Sequence, residues 1–164
     1  MKEIDFLKKL KKERRLELVE PSEEMKSSYL KKAEDCLKSS KILFQNELYE
    51  NSTSEAYYCI YNSLLSLFFK VGIKSENHSG SIIIFDKMFE EKELTKIISS
   101  AKKERIDKQY YVESKQASKA TKKSCDNMIQ NAENFLVKIK LLISEINTEK
   151  IENIRNAFEN LTLR

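Results

Sequence analysis

Two glycines and one proline in 164 residues leave this chain few places to turn. A multi-strand sheet needs a turn every several residues, and turn geometry draws heavily on those two residue types. Long helices do not. The scarcity therefore predicts an all-α protein. The length is enough for one domain with a core of its own.

Apolar spacing divides the chain into helices. Residues 1–20 read as a basic helical extension, with Ile4, Leu7 and Leu10 on one side and Lys8, Lys9, Lys11, Lys12, Arg14 and Arg15 crowding the others. Such a helix is expected as a solvated appendage. Pro21 ends it. Ser22 is placed to cap a helix running to about Asn46, and Glu23 and Glu24 suit the positive end of its dipole. The next helix, about 54–71, has candidate caps at Ser52, Thr53 and Ser54. It is apolar on nearly every side, with Ala56, Tyr57, Tyr58, Ile60, Tyr61, Leu64, Leu65, Leu67 and Phe68. A helix of that kind is enclosed by other helices or lies at a dimer interface. Gly72 suits the left-handed position that closes it.

The segment "SIIIFDKMF" is expected as a helix capped near Ser79 or Ser81, since a lone strand would lack a partner. A helix follows at 92–106, then a long one at about 114–146. The long helix carries Cys125, Met128, Ala132, Phe135, Ile139, Leu142 and Ile146 at alternating spacings of three and four. A short helix within 147–164 presents Ile151, Ile154, Phe158 and Leu161. The expected architecture is an antiparallel up-and-down four-helix bundle over 22–146, with short extra helices at both ends.

Several function classes fall away. Three scattered cysteines and a single histidine form no zinc pattern and read as core residues in a reducing compartment, so no metal and no cofactor are expected. The most apolar run, 56–71, is shorter than the roughly 20 residues of a membrane span. The N-terminus has no apolar signal core. A cytoplasmic protein without membrane contact is expected.

Net charge is only +4, but residues 96–123 hold nine basic side chains against three acidic ones. That segment is either a solvated helix face or a phosphate-attracting surface. Within it, Arg105 continues the inner stripe of Leu94, Ile98 and Ala101. A guanidinium on an inward face calls for a carboxylate, phosphate or carbonyl partner, or it snorkels from the helix end. His78, in "KSENHSGS", reads as a turn and helix start outside the arginine segment, not as a catalytic base, and is expected to be dispensable for binding.

"EAYYCIYNSLLSLFFKVGI", "NHSGSI" and "ERIDKQYY", in that order and spacing, resemble the central helix, the His-Ser-Gly loop and the arginine signature of the HEPN family of small prokaryotic bundle proteins. The resemblance spans about 22–146. It implies a homodimer and, as toxin in a toxin–antitoxin pair, a nucleotidyltransferase partner. In active members an Arg and a His from both subunits meet and cleave RNA without metal. The chemistry needs a cation for the phosphorane and a group that moves the 2′-hydroxyl proton. Carried over, Arg105 matches the Arg and Tyr110 stands where active members have His. Ile106 replaces a commonly polar residue. Val112 stands where some such toxins carry a tyrosine that their partner modifies with AMP.

A phenol of ordinary pKa near ~10 is a poor base at neutral pH. The resemblance therefore implies binding of RNA or nucleotide with weak or absent cleavage. Arg105 would contact phosphate, Lys102, Lys103 and Lys108 would attract it, and Tyr110 or Tyr111 would stack on or bond to the ligand. At most the chain is a metal-independent endoribonuclease with Arg105 and Tyr110 as its catalytic pair. The other reading is a non-catalytic dimeric protein-interaction module, in which the central helix and Arg105 serve packing alone.

Overall fold

The computed structural model describes residues 2–110 and 120–163, with side chains for 2–106 and 120–162. The described chain is helical apart from one small ribbon: α1 Lys2–Lys12, β1 Leu16–Leu18, α2 Glu23–Gln45, α3 Tyr49–Val71, β2 Ile73–Ser75, α4 His78–Phe89, α5 Lys92–Tyr110, α6 Lys122–Glu145 and α7 Thr148–Leu163. Helix α3 is the axis. It packs most extensively on α2, then on α6 and α5. Ala56, Tyr57, Cys59, Ile60, Leu64, Leu67 and Phe68 are all fully buried.

The chain's own helices thus cover the side chains that made α3 a candidate dimer interface. Its apolar surface requires no second copy. Among the described residues, the large hydrophobics left in solvent are Met25, Ile42, Leu48, Val137 and Leu141, and none belongs to α3.

Local chemistry places several helix ends. The Ser22 hydroxyl accepts from Met25 N at 3.1 Å. Thr121 and Ser124 form a reciprocal capping box at the start of α6. The start of α3 differs from the expected one. It begins at Tyr49, a turn earlier, with no side-chain cap, and Ser52 lies inside the helix. There Ser52 Oγ donates to Ser40 O and Ser40 Oγ donates to Ser52 O, both at 2.7 Å. Two small side chains on each other's carbonyls let α2 and α3 approach closely with both serine hydroxyls hydrogen-bonded.

The N-terminal segment also departs from expectation. It is not one solvated helix. The chain turns after Lys12, with Arg14 in the left-handed region at φ 58°. Residues Leu16–Leu18 then pair antiparallel with Ile73–Ser75, in the register Leu16 to Ser75 and Leu18 to Ile73. Leu7, Leu10 and Leu16 are buried, so this segment is part of the core. It lies close against α4. A Cβ on Gly80 would stand 2.5 Å from Leu10 Cδ1, so the glycine lets α1 press on the first turn of α4.

A second close approach fixes the end of α3. Gly72 adopts φ 77°. On its flank Arg155 of α7 donates from one nitrogen, Nη1, to Val19 O at 2.6 Å, Gly72 O at 3.0 Å and Val71 O at 3.2 Å. One guanidinium thereby ties α7, β1 and the end of α3 together.

Candidate functional site

Helical spacing assembles the site from three elements. On α3, Tyr57 and Tyr61 are one turn apart and share a face, and Tyr58 points from the neighbouring position. On α4, Asn77 caps the helix by accepting Gly80 N at 2.8 Å, which makes His78 the first helical residue. On α5, Leu94, Ile98 and Ala101 are buried, and Arg105 follows in the same stripe.

The expected inward position of Arg105 is what the fold shows. Its guanidinium carbon lies 5.3 Å from the ring centre of Tyr57 and 5.0 Å from that of Tyr58. Nη2 donates to the Tyr58 hydroxyl at 2.9 Å. Nε is buried with no hydrogen-bond partner among the described residues. Among those residues no carboxylate pairs with this cation. Ring faces and a neutral hydroxyl attract a guanidinium without neutralising it. The half-buried positive charge is therefore not neutralised by the described residues around it.

The histidine belongs to the same cluster, which its place in the sequence does not reveal. His78 Nδ1 shares a hydrogen bond with the Tyr57 hydroxyl. Its ring stacks on Tyr61 at 3.8 Å between centroids and on Tyr57 at 5.7 Å. Burial, and then the charges of Arg105 and Lys102, push its pKa down from 6.5 to about 4. Burial also holds the Tyr57 and Tyr61 hydroxyls above the ordinary phenol range, so both remain protonated at neutral pH. Lys102 reaches the cluster's rim, where its ammonium donates to Ser79 Oγ. The premise that His78 lies apart from the arginine segment is thus wrong in three dimensions, although its place at a helix start is as expected.

Of the other expected site residues, Lys103 is exposed on α5. Lys108 and Tyr110 end the same helix with side chains outside the described residues, and Tyr111 falls outside them altogether. Among the described residues, the tyrosines that lie beside Arg105 are Tyr57 and Tyr58 of α3. Three phenols and one imidazole on an otherwise apolar surface were visible in the sequence. Only the packing of α3 against α4 and α5 shows that they converge on Arg105.

Residues 27–142 match the family model described as HEPN domain. The chain belongs to the HEPN family. It is also 30% identical over 119 residues to a protein of Methanocaldococcus jannaschii named "Putative toxin MJ0605", a match covering 70% of this chain and 85% of that relative. The HEPN match begins inside α2 and ends inside α6, so it includes every element that builds the tyrosine–histidine–arginine cluster. Among the described residues no three His, Cys, Asp or Glu side chains gather as a metal site, and no helix is long and apolar enough to cross a membrane.

The depressed histidine has a consequence for stability. In the unfolded chain His78 takes up a proton as pH falls through 6.5, whereas in this HEPN fold it does so only near 4. The unfolded state binds more protons between those values. Stability is therefore full above about pH 7 and declines as pH falls toward 4, with a change of about 1–2 kcal/mol once solvent screening of a half-buried ring is allowed for. Urea unfolding at pH 7 and pH 5 checks this. His78→Gln should flatten the difference, and an unchanged slope in that variant would remove the histidine as its source.

Proposed function

We propose that this HEPN protein is toxin-like and binds RNA or nucleotide, with Arg105 as its phosphate contact and Lys102 beside it. The observation that carries the reading is the state of Arg105, an inward guanidinium held between two tyrosines with no carboxylate partner among the described residues. Phosphate completes such a site, because each anionic oxygen forms a charge-assisted bond with the cation. Lys103, exposed on the same helix, adds long-range attraction. The relative's name supports the toxin side of the reading. The HEPN resemblance adds a nucleotidyltransferase as partner and a second copy of the chain.

Cleavage is weak or absent in this reading, since Tyr110 replaces the motif histidine. His78 does not restore a strong base. Its neutral form is favoured by an environment that makes the ring a poor proton acceptor. The reading of a purely structural dimer module assigned Arg105 to packing across an interface. Arg105 instead packs on Tyr57 and Tyr58 of its own chain, which favours the phosphate reading over that module.

Incubation of the purified protein with total RNA and tRNA, beside an Arg105→Ala control, tests the proposal. Salt-dependent retention by the parent and not by the variant is expected. Extensive cleavage would contradict the binding-only form of the proposal. Light scattering at micromolar concentration tests the homodimer separately, and a monomer there would remove it.

A further inference from the structure

Beside the cluster, α4 and α5 leave a groove of about 340 Å³ between them, lined by Ile82, Ile83 and Ile106 together with Ser79, Ser99, Lys102 and Lys103. The spacing explains it. Positions 79, 82 and 83 share one face of α4, and positions 99, 102, 103 and 106 share one face of α5. The inner stripe of α5, which ends in Arg105, is the neighbouring face of the same helix. Ser79 and Lys102 belong both to the groove and to the rim of the arginine cluster, where they are hydrogen-bonded to each other. The lining is thus three branched apolar side chains, two ammonium groups and two hydroxyls. No carboxylate is among these described residues.

We infer that this groove is a base-binding subsite: it takes the nucleobase of a nucleotide, free or as a unit of single-stranded RNA, whose phosphate lies on Lys102 and Arg105. The inference rests on the phosphate reading of Arg105 given above and names the rest of the ligand. Three features select it. The volume is at the lower end for small-molecule sites, which span about 300–1,000 Å³, and so suits one base with its sugar and not a larger group. The isoleucines offer an apolar contact for a base's face, while Ser99 supplies a hydroxyl for its polar edge. The two lysines favour an anionic ligand, and the shared Ser79–Lys102 pair puts that anion on the side of Arg105. A ligand that is flat and apolar in one part, polar at its edge and anionic at one end is a nucleotide.

The test compares 2-aminopurine riboside 5′-monophosphate with ribose 5-phosphate, the first followed by its fluorescence and the second by competition. The nucleotide should bind at least about tenfold more tightly, or ~1.4 kcal/mol. Ile106→Gln should reduce its affinity to that of the sugar phosphate while leaving ribose 5-phosphate binding unchanged. Ile83→Gln provides the same comparison if the first variant does not fold. Equal binding of the two ligands by the parent protein would overturn the base subsite and leave the phosphate reading standing. The phosphate reading fails separately if Arg105→Ala binds ribose 5-phosphate as well as the parent does.

A single-stranded hexaribonucleotide with one internal 2-aminopurine separates the two sources. A fluorescence change that Ile106→Gln abolishes assigns the groove to RNA, and a change with the monophosphate alone assigns it to free nucleotide. Two further results would overturn the inference. One is a parent dimer that Ile106→Gln converts to monomer with no nucleotide bound by either, which would give the groove to a second copy. The other is tighter binding of decanoate than of the nucleotide, which would make it a site for acyl chains.

Discussion

Replacing Gly72 by alanine should lower stability by on the order of 3 kcal/mol, a fall of about 6–12 °C in the melting temperature of a domain this size. Two independent penalties combine. The backbone there has φ 77°, where an L side chain is strained. The added Cβ would also stand 2.2 Å from Arg155 Nη1 and 2.3 Å from Val19 O. A flexible arginine tip can retreat, but the carbonyl is backbone held beside the β1–β2 ribbon by Val19 N donating to Gly72 O at 2.9 Å. Retreat of Arg155 would itself release three carbonyls from their shared donor. Thermal unfolding followed by circular dichroism measures the change. A loss under about 1 kcal/mol, the ordinary scale of a glycine substitution in an undemanding conformation, would show that the left-handed turn and the arginine clamp are not what close α3.

Arg105→Ala should weaken RNA binding about 10- to 150-fold, the equivalent of losing a charge-assisted hydrogen bond worth ~1.5–3 kcal/mol. Its signature is electrostatic. The slope of log affinity against log salt should become shallower by about 0.7 for each single-strand phosphate that the variant no longer neutralises. Arg105→Lys should fall between, since it keeps the charge and loses the planar fork that rests on Tyr57 and Tyr58. The same alanine variant has a readout that needs no RNA. Arg105 is one of the causes that depress His78, second to burial. Its removal should therefore raise the histidine's pKa part of the way back, as followed by NMR titration of the imidazole. Unchanged RNA affinity and salt slope in a folded Arg105→Ala protein would defeat the phosphate role. An unmoved histidine would show that the two side chains do not share a field.

These expectations rest on different kinds of information. The period of the apolar residues determined the helices. Met25 through Phe44, Ala56 through Phe68 and Cys125 through Leu142 each fall on elements observed, because a 3.6-residue repeat has to bury its stripe wherever the helix ends up. Gly72 determined the end of α3 for a reason equally local, its tolerance of positive φ. The inward face of Arg105 was legible too, from its spacing behind Leu94, Ile98 and Ala101.

What was not legible depends on partners distant in sequence. Strand β1 is three residues long, too short for any periodicity, and exists only because Ile73–Ser75 lies beside it. Leu7 and Leu10 looked like one face of a solvated helix until α4 and α7 were packed against α1. His78 looked peripheral because it stands 27 positions before Arg105 in the chain, yet α4 and α5 fold back on α3 and place both against Tyr57. Local free energies, meaning helix propensity, capping and burial of a periodic face, are written in neighbouring residues, and the sequence alone determined them. The covering of α3 by its own chain, the gathering of tyrosine, histidine and arginine, and the groove between α4 and α5 were decided by tertiary packing. That packing joins side chains that no local interaction relates.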